Sequence, residues 1–434
     1  MAGPRFSIVV PTRERAVTLH YAIRSCLAQN FDDYEIVVCD NCGSGATREV
    51  VAKLNSHKIR YVRSEIPLSM SDNWELAVSH ARGEFITVVG DDDALCRHAL
   101  SEADALIRMH RTQLVRWAYA YYKWPDYAGQ ADANRLSFRV NGNCHRVQSG
   151  RLIQEIIDKP KRYHELPMIY NSLVHRDVID RLRQRTGRVF SAISPDVYSG
   201  FAFADLVPKF VSVVRPMGIC GTSSHSTGQA GVIGRGATSG IVKDFFDASA
   251  KSGLFWNKSV PFVRKSISAV IAESYAQAMT TLHGGMTWTR AQRKSLTVAM
   301  VRDLLEHPNL SQDDRLAAFD SVKKWCRANT ALAAWFKTHV APSLNSPPTE
   351  NNPPQNWCKG YGAHFLDIDA AAFGVSDVDG AAELIESLLG CRGRPVRALS
   401  KKPLNIRTIA KTVLPFTVYR AIASRARAVR RKAA

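Results

Sequence analysis

Long apolar runs are missing from this sequence of 434 residues. No stretch approaches the ~18 apolar residues that a membrane-crossing helix needs. Arg5, Arg13, Glu14 and Arg15 interrupt the opening where a signal peptide would place its apolar core. The expectation is a cytoplasmic protein, free or resting on the cytoplasmic face of the membrane. Cysteine is sparse and odd in number, nine in all. Those residues are read as reduced thiols, and nothing in their spacing supports a structural zinc site. The dinucleotide fingerprint GxGxxG and the phosphate loop GxxxxGK[ST] are both absent, and Gly43-x-Gly45 alone does not replace them. NAD-dependent and P-loop chemistry therefore lose ground. Acidic residues are in deficit, 39 against 58 basic ones, for a formal net charge of +19. Such a surface attracts anions. With no zinc finger or RNP segment to read bases, nucleic acid is not the expected partner.

What is present is organised around Gly83 to Leu95, GEFITVVGDDDAL. Phe85 to Val89 reads as a buried parallel strand that stops abruptly at Asp91, Asp92 and Asp93. Three adjacent carboxylates repel one another and cannot be buried unpaired. They suit a divalent cation at the carboxyl end of a strand, where open α/β sheets bind ligands. The bland alternative is a turn and a solvated helix start.

Around this stretch the chain alternates. Phe6 to Pro11 is a strand followed by the polar loop Thr12 to Arg15, and Leu19 to Ala28 has helical spacing. Tyr34 to Cys39 is a second strand running into Asp40-Asn41-Cys42-Gly43-Ser44-Gly45, a tight turn before a helix at Thr47 to Leu54. Ile59 to Val62 is a third strand, and Ser71 to Ala81 a third helix. The β-α-β-α-β-α-β rhythm predicts an α/β fold with a mostly parallel, Rossmann-like sheet flanked by helices. Its polar strand ends would converge on one edge, a place for a nucleotide with a metal at its phosphates.

Further on, a helix is expected from Ala94 to His110 and a strand from Val115 to Tyr119. The aromatic run Tyr121, Tyr122, Trp124 and Tyr127 is read as packing, with base or sugar stacking as the alternative. Ser194-Pro195-Asp196 opens a helix from Tyr198 to Leu206, although proline and aspartate are also ordinary residues at a helix start. Gly and Thr dominate from Gly221 to Gly240, where a segment over the cleft is expected. Val242 to Val340 has a mainly helical texture, and Trp256, Phe262, Trp288, Trp325 and Trp335 are expected to anchor helix packing. The expected division is 1–226 as the α/β domain, 227–341 as a mainly helical region, 342–356 as a Pro/Asn-rich linker and 357–434 as a small C-terminal region. From Cys391 to Ala434 there are thirteen Lys or Arg residues and no Asp or Glu. Ile406, Ile409, Ala410, Val413 and Leu414 recur there at helical spacing. Residues 392–434 thus suit an anionic membrane surface, or equally a helix docked on the protein.

The ordered set of FSIVVPTRER, YEIVVCDNCGSGATRE, NWELAVSHARGEFITVVGDDDAL and SPDVYSGFA resembles family 2 glycosyltransferases of the GT-A fold, over about the first half of the chain. The resemblance implies an inverting transfer of a sugar from a nucleoside-diphosphate donor, UDP-linked by preference, to a saccharide or lipid-linked glycan acceptor in cell-surface polysaccharide biosynthesis. It implies that Pro11, Thr12 and Glu14 line the nucleoside pocket and that Asp40 accepts a hydrogen bond from the base. Asp91 would lie near ribose and phosphates. Asp92 holds the variable middle position of the motif. Asp93 would hold Mn²⁺ or Mg²⁺, with His225 as a further ligand or donor, and Arg82 would reach a phosphate. Asp196 would be the base that takes the acceptor hydroxyl proton, with Glu165 as its rival. Trp117, Tyr170 and Asn171 fall where such enzymes shape the acceptor site. The Gln-x-x-Arg-Trp motif of processive polysaccharide synthases is absent, so polymer extrusion is not expected. The competing classes are a nucleotidyltransferase, for which the first loop lacks glycines, and a non-catalytic protein binding nucleic acid or a membrane surface through its basic tail.

Overall fold

The structure, a computed structural model, describes residues 3–127, 132–140, 143–226, 238–307, 310–327, 330–344 and 365–389. The first half alternates as the sequence pattern requires. Strand β1 (Phe6–Thr12) leads through α1 (Ala16–Leu27) to β2 (Tyr34–Asp40), then through α2 (Ala46–Leu54) to β3 (Ile59–Arg63). Helix α3 (Met70–Ser79), capped by the Ser69 hydroxyl on the Asp72 N–H, leads to β4 (Phe85–Val88). β1 lies between β2 and β4, and β3 flanks β2, all parallel. Every residue of β1 is buried. Alternate side chains serve two cores, with Val9, Val37, Ile86 and Val88 on one face and Ile8, Val10, Ile36 and Val38 on the other. Helices cover both faces, which explains the unbroken apolar runs.

Beyond β4 the sheet changes character. A two-residue strand, β5 (Ala94–Leu95), precedes α4 (Ala99–His110), so the helix expected from Ala94 starts five residues later. Strands β6 (Leu114–Lys123), β7 (Arg135–Arg139) and β8 (Cys144–Gln148) follow, then α5 (Ser149–Asp158). Two 3₁₀ segments, Pro160–Glu165 and Ile169–Asn171, lead to β9 (Ser172–His175), α6 (Arg176–Thr186) and α7 (Pro195–Leu206). β9 pairs antiparallel with both β4 and β6, joining the parallel half to the rest. The long strand β10 (Lys209–Thr222) runs parallel to β6, with register shifts around Pro216, whose ring removes a ladder donor. The sheet is therefore parallel across its first four strands and mixed beyond them.

The second half is helical: α8 (Thr238–Lys251), α9 (Ile267–His283), α10 (Arg290–Leu305), α11 (Gln312–Arg327), α12 (Thr330–His339) and the short α13 (Ala341–Leu344). It does not form a core of its own. Ala272, Ala276, Met300, Phe319 and Phe336 belong to the apolar cluster that holds Val37 and Ile86 of the sheet. The indole N–H groups of Trp325 and Trp288 both donate to Ser259, at 2.8 and 3.3 Å, and pin the loop before α9. Phe262, expected among the packing aromatics, is 54% exposed.

The chain then returns to the sheet. Strand β11 (Phe365–Asp369) pairs antiparallel with β7, and α14 (Val378–Leu389) packs against β5 and α1. Among the described residues no cysteine forms a disulfide. Cys39 and Cys42 diverge, one toward Asn73 and the other toward the Glu65 carbonyl. The described residues contain no helix long and apolar enough to cross a membrane. The expected basic segment 392–434 and the linker 342–356 lie largely or wholly outside the described residues.

Candidate active site

Strand register brings the polar ends together. Thr12 is level with Asp40, and Val9 with Val88, so the ends of β1, β2 and β4 open onto the same carboxyl edge. Glu14 and Cys42, just past β1 and β2, both adopt positive φ, 56° and 52°. Non-glycine residues hold that conformation only under local constraint, and such strain gathers at functional sites. Here the Glu14 carboxylate accepts from the Ser44 N–H at 2.5 Å and from its hydroxyl at 2.8 Å, tying the first loop to the second.

Each member of the aspartate run has its own partners. Asp91 accepts from the Thr12 hydroxyl at 2.7 Å and from Arg15 Nη1 at 2.9 Å. Asp92 accepts from the hydroxyls of Ser223 and Ser226, which follow β10. Asp93 takes the N–H of Gly221 at 2.7 Å and that of Gly90 at 3.2 Å. Glycine is required at both contacts, because a Cβ on Gly221 would fall 1.7 Å from the Asp92 carbonyl oxygen and one on Gly90 would fall 2.6 Å from Asp93 Oδ2. Trp124 closes the corner by donating its indole N–H to the same Asp92 carbonyl at 3.0 Å.

Electrostatically the run is under-compensated. Burial, then Asp92 and Asp91, push the Asp93 carboxyl well above the usual carboxylate range, against the pull of the two backbone N–H groups. Burial also raises Asp91, although Arg15 opposes it. Three carboxylates face one guanidinium. A hard divalent cation would offset that excess, and oxygen donors are the ligands Mg²⁺ and Mn²⁺ prefer, so the donor set fits such an ion. Asp93 is the member held by N–H groups alone, with lone pairs left to coordinate.

Asp196 lies near the start of α7, one residue after Pro195. Burial raises its carboxyl above the ordinary range, while the Val197 N–H and its own oppose the shift. The phenol of Tyr170 is pushed well up by burial and then by Asp196, Tyr163, Cys220 and Asp93. Cys220 is raised by burial and then by Asp93, Asp92 and Asp196. Both side chains therefore stand within electrostatic reach of Asp93 and Asp196 together. Tyr119, in β6 beside β10, stacks on Tyr170 at 5.3 Å between ring centroids. A stacked aromatic pair thus lies near both the aspartate run and Asp196.

Several expectations need correction. Arg82 precedes β4 and lies at the opposite, amino edge of the sheet, where its N–H donates to Glu35 at 2.6 Å. A strand separates it from Asp91, so it does not reach phosphates at that edge. Asp40 is fully buried rather than open to a base. Its oxygens accept from the Gly43 N–H at 3.0 Å and the Tyr61 hydroxyl at 2.7 Å, which shapes the second loop. Asp92 is turned into the protein to anchor the loop after β10. His225 contributes its backbone carbonyl, accepting from Arg15 Nη2 at 2.5 Å, while the residue as a whole is exposed. Trp117 is 1% exposed and packs in the core beneath Gly218. Asn171 is fully buried and donates to the His164 and Leu166 carbonyls. Of the expected acceptor-side trio, only Tyr170 faces the site. Glu165 is gripped by Arg162 through two bonds of 2.8 and 2.6 Å, and this outweighs burial to hold its carboxyl below the usual range. A carboxylate so stabilised is a poor base, which favours Asp196.

Arg15, Tyr119, Ser223 and Ser226 were not singled out from the sequence. Arg15 was visible in the polar loop after β1, but nothing local marks it as the counter-ion of Asp91. The two serines fall in the small-residue loop after β10, far from Asp92 along the chain.

This edge, with its tied loops and carboxylate run, belongs to a glycosyltransferase domain. Residues 7–144 match the family described as Glycosyl transferase family 2, and this part of the chain is a member of it, with the mixed α/β architecture seen here. The chain is 38% identical over 101 residues to a GalNAc(5)-diNAcBac-PP-undecaprenol beta-1,3-glucosyltransferase of Campylobacter jejuni, covering 23% of this chain and 33% of that protein. It is 29% identical over 87 residues to the UDP-Glc:alpha-D-GlcNAc-diphosphoundecaprenol beta-1,3-glucosyltransferase WfgD of Escherichia coli, covering 20% of this chain and 34% of that protein. The matched part is less than half the length of the curated relatives. A crystal structure of S. aureus TarS residues 1–349 in complex with UDP-GlcNAc aligns with a TM-score of 0.47 at 14% identity, covering 92% of this chain and 98% of that one.

Proposed function

We propose that the chain is a metal-dependent inverting glycosyltransferase that moves a sugar from a nucleoside diphosphate, UDP by preference, to a lipid-linked glycan or saccharide acceptor. The observation that carries this reading is the pair Asp93 and Asp196, with the stacked rings of Tyr119 and Tyr170 nearby. The first belongs to the carboxylate run at the sheet edge, held by the Gly221 and Gly90 N–H groups, and the second stands in the first turn of α7. That arrangement separates a diphosphate end from an acceptor end.

In this reading residues 1–226 carry the chemistry. Pro11, Thr12 and Glu14 form the nucleoside corner, with Asp40 holding the second loop in shape behind it. Asp91 keeps Arg15 in place beside the phosphates. Asp93 would hold Mn²⁺ or Mg²⁺, which would supply charge to the departing diphosphate. Asp196 accepts the acceptor hydroxyl proton as that oxygen attacks the anomeric carbon, and its raised proton affinity makes it a stronger base than an exposed aspartate. The stacked pair of Tyr119 and Tyr170 offers a face for a sugar ring. Two relatives act, by name, on undecaprenol-diphosphate-linked glycans, which favours an acceptor of that kind. The basic segment 392–434 would then hold the enzyme beside the anionic surface where such lipids reside. Its part rests on composition alone.

The test is calorimetry with UDP, GDP, dTDP and CMP, each with and without Mn²⁺, followed by transfer from the matching sugar nucleotide. Metal-dependent binding of one nucleoside diphosphate supports the reading. Folded protein that binds none of them overturns it, and salt-dependent binding of nucleic acid instead would favour the non-catalytic alternative.

A further inference from the structure

The turn between β5 and α4 faces α14 across a small polar group inside an apolar cluster. Cys96, His98 and Glu386 each present one donor atom there, and the sulfur, ring nitrogen and carboxylate oxygen all lie within 4.8 Å of one another. They are 0%, 8% and 6% exposed. We propose that these three residues form a structural site for a zinc-class divalent cation, which fastens α14 to the transferase domain.

Four observations support it. The donor types are those zinc selects, a thiolate, an imidazole and a carboxylate. Around a tetrahedral ion with bonds of about 2.0–2.3 Å, such donors lie roughly 3.3–3.8 Å apart. His98 Nδ1 and Glu386 Oε1, now 2.7 Å apart, need to open by about half an ångström to admit an ion, and the Cys96 sulfur lies within 4.8 Å of both.

The second observation is the backing of the histidine. Its other nitrogen, Nε2, is 3.6 Å from Glu102 Oε2, and Glu102 is itself 3.3 Å from Arg215 Nη1. A carboxylate behind the imidazole is the usual partner of a metal-bound histidine, fixing its tautomer and ring angle. Third, the turn that carries Cys96 and His98 is already held. The Cys96 N–H donates to the Met217 carbonyl at 3.0 Å, and its own carbonyl accepts from Gln29 Nε2 at 3.1 Å. Fourth, charge balances. Two anionic ligands and one neutral imidazole cancel a divalent ion, so the site can be buried without a net charge. Binding releases the Cys96 thiol proton to solvent, and a fourth position is left for water or the other Glu386 oxygen.

The sequence hid this site because Cys96 and Glu386 lie about two thirds of the chain apart. It is distinct from the cation expected at Asp93. The thiolate gives it a separate signature.

The experiment uses the full chain, stripped with chelator and titrated with Co²⁺. The expected result is a thiolate-to-cobalt charge-transfer band that saturates at one equivalent, is displaced by Zn²⁺, survives Asp93→Asn and is lost in Cys96→Ser. Glu386→Gln, which can still hydrogen-bond His98, should weaken zinc binding at least about tenfold. Should Cys96→Ser fail to fold, the wild-type chain answers: bound zinc should protect Cys96 from alkylation and slow amide exchange in α14. Absence of a thiolate band in folded protein, or alkylation of Cys96 at the same rate with and without zinc, would overturn the proposal.

Discussion

The two edges of the parallel strands carry similar charges and treat them in opposite ways. At the amino edge, Glu84 and Asp104 share Arg5 at 2.5 and 2.9 Å, Arg108 adds a second bond to Asp104 at 2.7 Å, and Glu35 takes Arg60 at 3.0 Å. Each of these acids has its cation. At the carboxyl edge, Arg15 pairs with Asp91, and burial together with the neighbouring carboxylates pushes Asp91 and Asp93 toward protonation. Like residues on one sheet are thus balanced at one end and left in deficit at the other. The lesson is that charge alone does not mark a site. Uncompensated charge held in place by backbone N–H groups does.

That contrast can be broken at its strongest point first. Asp196→Asn should lower transfer by about 10²–10⁴-fold, the usual loss of a general base, with metal-dependent donor binding unchanged in calorimetry. Donor binding lost in step with transfer would show that Asp196 does not act on the acceptor. Asp93→Asn should cost roughly 10²–10³-fold in transfer and weaken metal-dependent donor binding.

The same Asp93→Asn substitution should also raise the melting temperature at neutral pH in metal-free buffer. The folded carboxyl binds its proton more tightly than the unfolded one, so its contribution is full below about pH 4. It is lost as pH rises through the folded value. Asparagine removes that loss, and a melting curve that does not shift between acid and neutral pH would argue against the deficit.

Arg15→Gln withdraws the ion-pair partner of Asp91. Leaving Asp91 buried without its charge partner should destabilise by about 1–3 kcal/mol, seen in urea unfolding and larger at pH 8 than at pH 5. Arg82→Ala, at the balanced edge, should change stability by less than about 1 kcal/mol, since the side chain is 62% exposed and 4.0 Å from Glu35. It should leave transfer kinetics as they are. A marked loss of activity there would restore Arg82 to the phosphate role and contradict the topology.

The parallel half was legible because its signals are local. Phe6 to Pro11, Tyr34 to Cys39 and Phe85 to Val89 are apolar runs ending in polar turns, and a strand buried on both faces can hardly read otherwise. Asp91 to Asp93 stood out for the same reason. Asp196 was found by resemblance, since proline and aspartate at a helix start look the same with or without chemistry. What escaped was set by pairing across the chain. Ser223 and Ser226 reach Asp92 because β10 pairs with β5 just after the aspartate run, and Asp40 turned inward because Tyr61 on the neighbouring strand offers it a hydroxyl. Trp117 fell among the residues the resemblance assigns to the acceptor side, but it packs in the core at 1% exposure.

The pairing of β11 with β7 bears on how the molecule is made. A strand numbered in the 130s waits for one numbered in the 360s, so the outer ladder closes only after most of the chain has been synthesised. Until then β7 offers an unpaired backbone edge to any passing strand, the commonest route to misassembly of nascent sheets. Shortening the protein in the 342–356 segment would make that interval permanent. Such a piece would keep every residue of the proposed transfer site and still be expected to aggregate, because its fault would lie in an open edge rather than in its chemistry.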